Sequence, residues 1–227
     1  MSDDTADVPI RDAATVIALR DIDGVPHVLM GQRGHKAAFM PSKFVFPGGA
    51  LDAGDARVQL AEPLDARSRE RLAFRADPAK AQALAAAAIR ELWEEAGLAL
   101  GIPGPAPEDA PEDWRSFLAT GLVPSAAGLK FIFRAVTPPG RPRRFDARFF
   151  LVDAARIAGD VDDFSRATDE LSHMQWIALH RARELDLPFI TEVVLAEVEQ
   201  RLEDPAADPP VPFFWHEEGR SHFLRID

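Results

Sequence analysis

Three acids at one helical spacing define the chemistry to weigh first. Glu91, Glu94 and Glu95 stand at i, i+3 and i+4, and at 3.6 residues per turn their side chains leave a helix within an arc of about 100°. Like charges so placed repel each other. A surface helix offsets such acids with bases one turn on, but Ala96, Gly97 and Leu98 follow, and Arg90 alone offers relief. A hard cation with oxygen ligands, Mg²⁺ or Mn²⁺, would neutralise the group, and a solvated acidic face is the alternative.

The elements that must position these acids are legible around them. Asp77 and Pro78 read as N-cap and first residue of a helix that runs through an Ala-rich stretch to Gly97 at its end. Ala81, Ala85 and Ala88 suit close packing on a neighbouring element. Upstream, Phe44, Val45 and Phe46 form an apolar run that stops at Pro47-Gly48-Gly49, a strand entering a tight turn.

Together these stretches resemble the box of the Nudix hydrolase family, G-x5-E-x7-R-E-U-x-E-E-x-G-U with U aliphatic. Arg90, Glu91, Leu92, Glu94, Glu95, Gly97 and Leu98 match its second half. The first half departs twice. Asp55 stands where the family has Glu, and residues 56–89 fill a gap for which the family has seven residues. The resemblance implies an α/β fold, a Nudix-type α/β/α sandwich with a mixed sheet and a helix on each face, plus an inserted helical segment within the box. It also implies hydrolysis of a diphosphate linkage with Mg²⁺ or Mn²⁺. Glu94 and Glu95 would be metal ligands, Glu91 a ligand or the general base, Arg90 their orienting partner, and the Gly48-Gly49 backbone a contact to the metal cluster.

Further site residues come from their places in the chain. Arg33 and Lys36, in a polar stretch before Phe44, are candidates for phosphate contact or for a solvated loop. Glu170 precedes a strand where the family often brings a further acid over the metals, as base or ligand. The run at residues 143–150, with Phe44 to Asp52 and the inserted segment, resembles the coenzyme A diphosphatase branch. Arg143 and Arg144, beside Arg141, are therefore candidate readers of a substrate phosphate. Coenzyme A or acyl-coenzyme A is the substrate so implied. ADP-ribose, NADH and a catalytically weak binding module are the alternatives, the last supported only by Asp55.

In chain order, residues 13–20 and 27–31 read as strands joined by a hairpin at Asp23-Gly24. Arg67, Arg71 and Arg75 form an i, i+4, i+8 basic stripe on a helix of the inserted segment. Residues 101–107 read as a Pro/Gly connector between strands of one sheet, and Trp114, Phe117 and Leu118 as one face of a short helix. Residues 129–136, 147–152 and 171–179 read as strands, residues 188–202 as a last helix, and residues 211–225 as a hairpin that closes an edge or a dimer contact. The expectation is one domain over residues 1–227, with the insertion at 56–84 and the terminal helix and tail at 188–227.

Composition bounds the rest. With 227 residues, 47% of them apolar, the chain can bury a full core. A net charge of −11 argues against a nucleic-acid partner, which needs a basic footprint. Cys is absent, which removes disulfides and thiol chemistry, and no stretch reads as a signal or membrane span. The expectations are a cytoplasmic enzyme with a small nucleoside diphosphate substrate, no membrane partner, and a homodimer as one possible assembly.

Overall fold

The structure is a computed structural model that describes residues 8–35, 37, 39–217 and 219–227, so Lys36 lies outside the described residues. β1 (Ile10–Ile22) and β2 (Val25–Arg33) form an antiparallel hairpin. Asp23 and Gly24 turn it with φ of 53° and 80°, the left-handed pair that matches strand twist. Gln32 and Arg33 belong to β2 and not to a loop, which corrects the sequence reading. β3 (Phe44–Val45) then pairs with β2, and β4 (Gly48–Ala50) with β1.

The chain continues through α1 (Ala66–Leu72), α2 (Lys80–Ala96), β5 (Gly101–Pro103), α3 (Arg115–Leu118) and β6 (Leu122–Pro124). Next come β7 (Lys130–Val136), β8 (Arg144–Asp153), β9 (Leu171–Ala178), α4 (Phe189–Glu203), β10 (Val211–Glu217) and β11 (Arg220–Ile226). Among the described residues one large sheet runs β11-β10-β7-β8-β1-β2-β3, with β4 on β1 and β9 on β2. It is mixed, because β1 runs parallel to β8 and β7 to β10. The terminal hairpin closes its edge, as the sequence suggested. β5 and β6 form a separate two-stranded sheet, so residues 101–103 of the expected connector are themselves a strand.

Each face of the large sheet carries one long helix, which gives the expected α/β/α sandwich. α2 packs Ala85 to Ala88, all without exposed surface, in one core with Ala14, Val16 and Ala18 of β1. Small residues on both partners let helix and sheet approach closely. Ile89 and Leu92, buried in the same core, each contribute about 1.5–3 kcal/mol. Gly97 ends the helix at φ 72°, its amide bonded to the Trp93 carbonyl at 2.8 Å, and a Cβ there would stand 2.9 Å from Arg166 Cβ. The start differs from expectation. Asp77 caps a turn before the helix by accepting the Ala79 amide, and helical structure begins at Lys80.

On the other face α4 packs Val194, Leu195 and Val198 with Ile17, Met30, Phe133 and Phe149. The arginine stripe does not form. α1 stops at Leu72, Arg75 lies outside it at φ 48°, Arg71 is buried against Asp208 at 2.7 Å, and Arg67 reaches Asp227 at 2.7 Å. These contacts fasten residues 56–84 to the C-terminal tail. Trp114, Phe117 and Leu118 are buried together, as their spacing requires. Among the described residues no helix is long and apolar enough to cross a membrane.

Candidate active site

Arg90 is the fixed point of the site. Its Nε and Nη2 donate to the two oxygens of Asp55 at 2.9 and 3.1 Å, and Nη2 also donates to the Ala50 carbonyl at 2.9 Å. Nη1 donates to Glu91 Oε1 at 2.8 Å and to Glu94 Oε2 at 2.9 Å. Burial alone would lower the Arg90 pKa, but hydrogen bonds to Asp55 and the charges of Glu91, Asp55 and Glu94 raise it, so the guanidinium stays charged. Asp55 has no exposed surface and also accepts from Trp114 Nε1 at 3.2 Å. The residue that departs from the family pattern is thus the buried counter-ion that orients Arg90. Sequence reasoning missed that role, because the partner lies 35 positions away across the 56–84 segment.

The acids of α2 divide by environment. Glu95 is 2% exposed, its Oε2 accepts the Gly48 amide at 2.7 Å, and its Oε1 is buried with no hydrogen-bond partner. Burial pushes its pKa well above the carboxylate range, repulsion from Glu91 and Glu170 adds to that, and the Gly48 amide and Arg33 oppose it. Burial likewise pushes Glu91 up to about 7, with Arg90 opposing and Glu94 and Glu170 adding repulsion. Burial also raises Glu94, against Arg90. Gly49 must lack a side chain, since a Cβ would stand 2.4 Å from Glu91 Oε1.

A divalent cation fits this donor set. An unpartnered, buried carboxylate oxygen beside a second acid held near neutrality costs free energy that an oxygen-seeking cation offsets. Among the described residues no three His, Asp or Glu side chains are already arranged as a metal site. Arg90 occupies Glu91 Oε1 and Glu94 Oε2, which leaves Glu95 Oε1 and the second Glu91 oxygen as the donors to offer. Gly48 supplies its amide to Glu95 and so holds a candidate ligand in place.

A cleft of about 1340 Å³ opens from these acids, lined by Gly48, Gly49, Arg90, Glu91 and Glu94 at one end. Arg33, Arg143 and Glu170 line it as well, and the same three border an adjoining recess of about 330 Å³. Arg33 Nη2 pairs with Glu170 Oε1 at 3.2 Å, while its buried Nε has no partner. Phe39 meets Phe145 edge to face, with ring centroids 5.5 Å apart, and both rings line the cleft. The structure therefore brings Arg33, Arg143 and Glu170 to the acids of α2. It does not bring Arg144, which is the first residue of β8, is buried, and donates from Nε to the Thr137 carbonyl at 3.2 Å. Strand alternation turns Arg144 away when its neighbour faces the cleft.

No protein-family model matches the chain. Over 161 residues it is 28% identical to a Caenorhabditis elegans protein named "Putative nudix hydrolase 7", a match that covers 66% of this chain. The chain spans about half the length of that curated relative, 46%. The NUDIX domain of Shewanella oneidensis NrtR, solved with ADP ribose, superposes with a TM-score of 0.51 at 12% identity, covering 88% of this chain and 94% of that one. That likeness shows the fold alone. The crystal structure of a NUDIX hydrolase from Alicyclobacillus acidocaldarius superposes with a TM-score of 0.63 at 30% identity, covering 83% of this chain and 90% of that one. With that identity across nine-tenths of a solved relative, and the Arg90 to Glu95 acids set on the helix that packs the sheet, the chain belongs to the Nudix hydrolase family.

Proposed function

We propose that the chain is a pyrophosphohydrolase that uses Mg²⁺ or Mn²⁺ to cleave the diphosphate linkage of a nucleoside diphosphate derivative, coenzyme A or an acyl-coenzyme A. The observation that carries this reading is the buried, unpartnered Glu95 Oε1, whose neighbours Gly48 and Glu91 line a large cleft. Two anionic phosphoryl groups repel an attacking water, so a site must supply positive charge and hold the water in line. A cation bound by Glu91 and Glu95, with Glu94 beside them, would supply that charge.

The chain's own residues do the rest. Arg90, itself held by Asp55, fixes the rotamers of Glu91 and Glu94. Glu91, pushed up to about 7, can take a proton near neutral pH, and Glu170 is the other candidate base. Arg33, with an unpartnered Nε, binds a phosphoryl oxygen and can exchange Glu170 for substrate. ADP-ribose is the second substrate reading, favoured by the ligand of the NrtR domain. A binding module without turnover is disfavoured, because Asp55 serves Arg90 in full.

Substrate choice turns on the 3′-phosphate of coenzyme A, a dianion that an acidic protein repels unless a base meets it. Arg143, exposed on the cleft wall, is that base. A charge-assisted contact is worth about 1.5–3 kcal/mol, so Arg143→Ala raises KM for coenzyme A roughly ten- to a hundredfold and leaves 3′-dephospho-coenzyme A nearly unchanged. Steady-state kinetics on both substrates checks it. Equal loss on both removes Arg143 as a phosphate reader, and a wild type indifferent to the 3′-phosphate leaves ADP-ribose as the better substrate.

A further inference from the structure

Trp114 has no exposed surface, and its one polar atom is bonded to the acid site. Nε1 donates to Asp55 Oδ1 at 3.2 Å, the oxygen that also takes Arg90 Nε at 2.9 Å. Asp55 Oδ2 takes Arg90 Nη2 at 3.1 Å and the Asp52 amide at 2.9 Å. Each carboxylate oxygen is therefore held by one donor besides the guanidinium. A carboxylate turns easily about its last bond, and one fixed donor on each oxygen locks its plane toward the Arg90 fork.

A buried indole needs an acceptor, so this bond alone would suit an ordinary core tryptophan. Its surroundings single it out. Residues 112–114 form a 3₁₀ turn that leads into α3, and the turn lies on the backbone next to Asp55. A Cβ at Gly54 would stand 3.3 Å from Pro111 Cβ and 3.3 Å from Asp113 Oδ2. The far end of the segment returns to α2. Trp93, between Glu91 and Glu94 on that helix, donates from Nε1 to Ser116 Oγ at 2.9 Å. Phe117 meets both indoles edge to face, with ring centroids 5.8 Å from Trp93 and 5.6 Å from Trp114.

These contacts close a ring. It runs from Arg90 through Asp55, Trp114, Phe117 and Trp93 back to the helix that carries Arg90. Close-packed members of such a ring cannot move singly, and a site is held to its geometry by neighbours that are themselves locked.

We infer that Trp114 is a positioning residue of the acid site: its indole N–H fixes the Asp55 carboxylate, Asp55 fixes Arg90, and Arg90 fixes Glu91 and Glu94. Residues 112–118 are a brace built beyond the end of the Nudix box. The effect on turnover rests on the proposed diphosphate cleavage, whereas the brace can be tested without it.

Two replacements at position 114 remove the N–H. Trp114→Phe keeps an aromatic ring against Phe117, and β-(3-benzothienyl)alanine, with sulfur in place of the N–H, keeps the whole bicycle should Trp114→Phe lower the melting temperature. The readout without substrate is exchange of the Arg90 Nε–H with water, followed by NMR on protein labelled with ¹⁵N-arginine in EDTA. Either replacement speeds that exchange roughly tenfold or more, as loosening a charge-assisted hydrogen bond should. With coenzyme A and Mg²⁺, kcat falls about tenfold, which is about 1.4 kcal/mol in barrier, while KM stays within about twofold because Arg33 and Arg143 meet the substrate elsewhere in the cleft. Unchanged Arg90 exchange, or unchanged kcat in an enzyme that turns over, overturns the positioning role. Faster exchange in a protein that hydrolyses no diphosphate supports the brace and sinks the hydrolase reading, while hydrolysis with unchanged exchange does the reverse.

Discussion

Glu95→Gln melts at a higher temperature than the wild type in EDTA at pH 8, and it loses turnover at least about a thousandfold with Mg²⁺ present. The two effects have one cause. The folded-state pKa of Glu95 is raised by burial, so the ionised side chain destabilises the metal-free fold increasingly as pH rises above the unfolded carboxylate value, and the penalty is absent below it. Gln keeps the acceptor that meets the Gly48 amide and removes the charge. A gain of even about 1 kcal/mol raises the melting temperature by roughly 2–4 °C in a chain of this size. A thousandfold loss of rate is about 4 kcal/mol in barrier, the scale expected when a cation that stabilises developing charge is lost. Thermal scans with EDTA and with Mg²⁺ check both halves: Mg²⁺ lifts the wild type and not the variant. A variant that melts lower in EDTA, or that keeps its Mg²⁺ response, contradicts this assignment of Glu95.

Arg90→Met has the opposite effect on the fold. It leaves Asp55, with no exposed surface, and Glu91 and Glu94 without their shared base. Breaking a buried pair by removing one member costs about 3–5 kcal/mol, which lowers the melting temperature by roughly 6–20 °C. Lys does not rescue, because a point charge cannot make the paired bonds to Asp55. Asp55→Asn on top of Arg90→Met costs much less than Asp55→Asn alone, since the two side chains act as one unit. A double variant whose loss equals the sum of the single losses would show that Asp55 does not act through Arg90.

The sequence carried the local parts of this architecture well. Asp23-Gly24 announced a hairpin because only a left-handed turn joins strands of that twist, and Gly97 announced the end of α2 for a similar reason. The acidic arc pointed to a site because no base on its own helix beyond Arg90 answered it. What stayed hidden depends on residues far apart in the chain. Arg71 looked like part of an exposed stripe and is instead drawn onto Asp208 by the tail. Arg144 looked like a reader of a substrate phosphate and is a strand residue turned away from the cleft. Asp55 looked like a departure that favoured a binding module, and its partnership with Arg90 emerges only once β4 and α2 are packed together.

The most direct test of the central claim follows the phosphorus atoms. Coenzyme A is incubated with the protein and Mg²⁺ in ¹⁸O-water, and the products are read by phosphorus NMR. The account predicts 4′-phosphopantetheine and adenosine 3′,5′-bisphosphate in equal amounts, with one ¹⁸O on the phosphorus that water attacked, and neither product in EDTA or with Glu95→Gln. Failure to release a monophosphate from coenzyme A, ADP-ribose or NADH, or release that persists in EDTA, contradicts it.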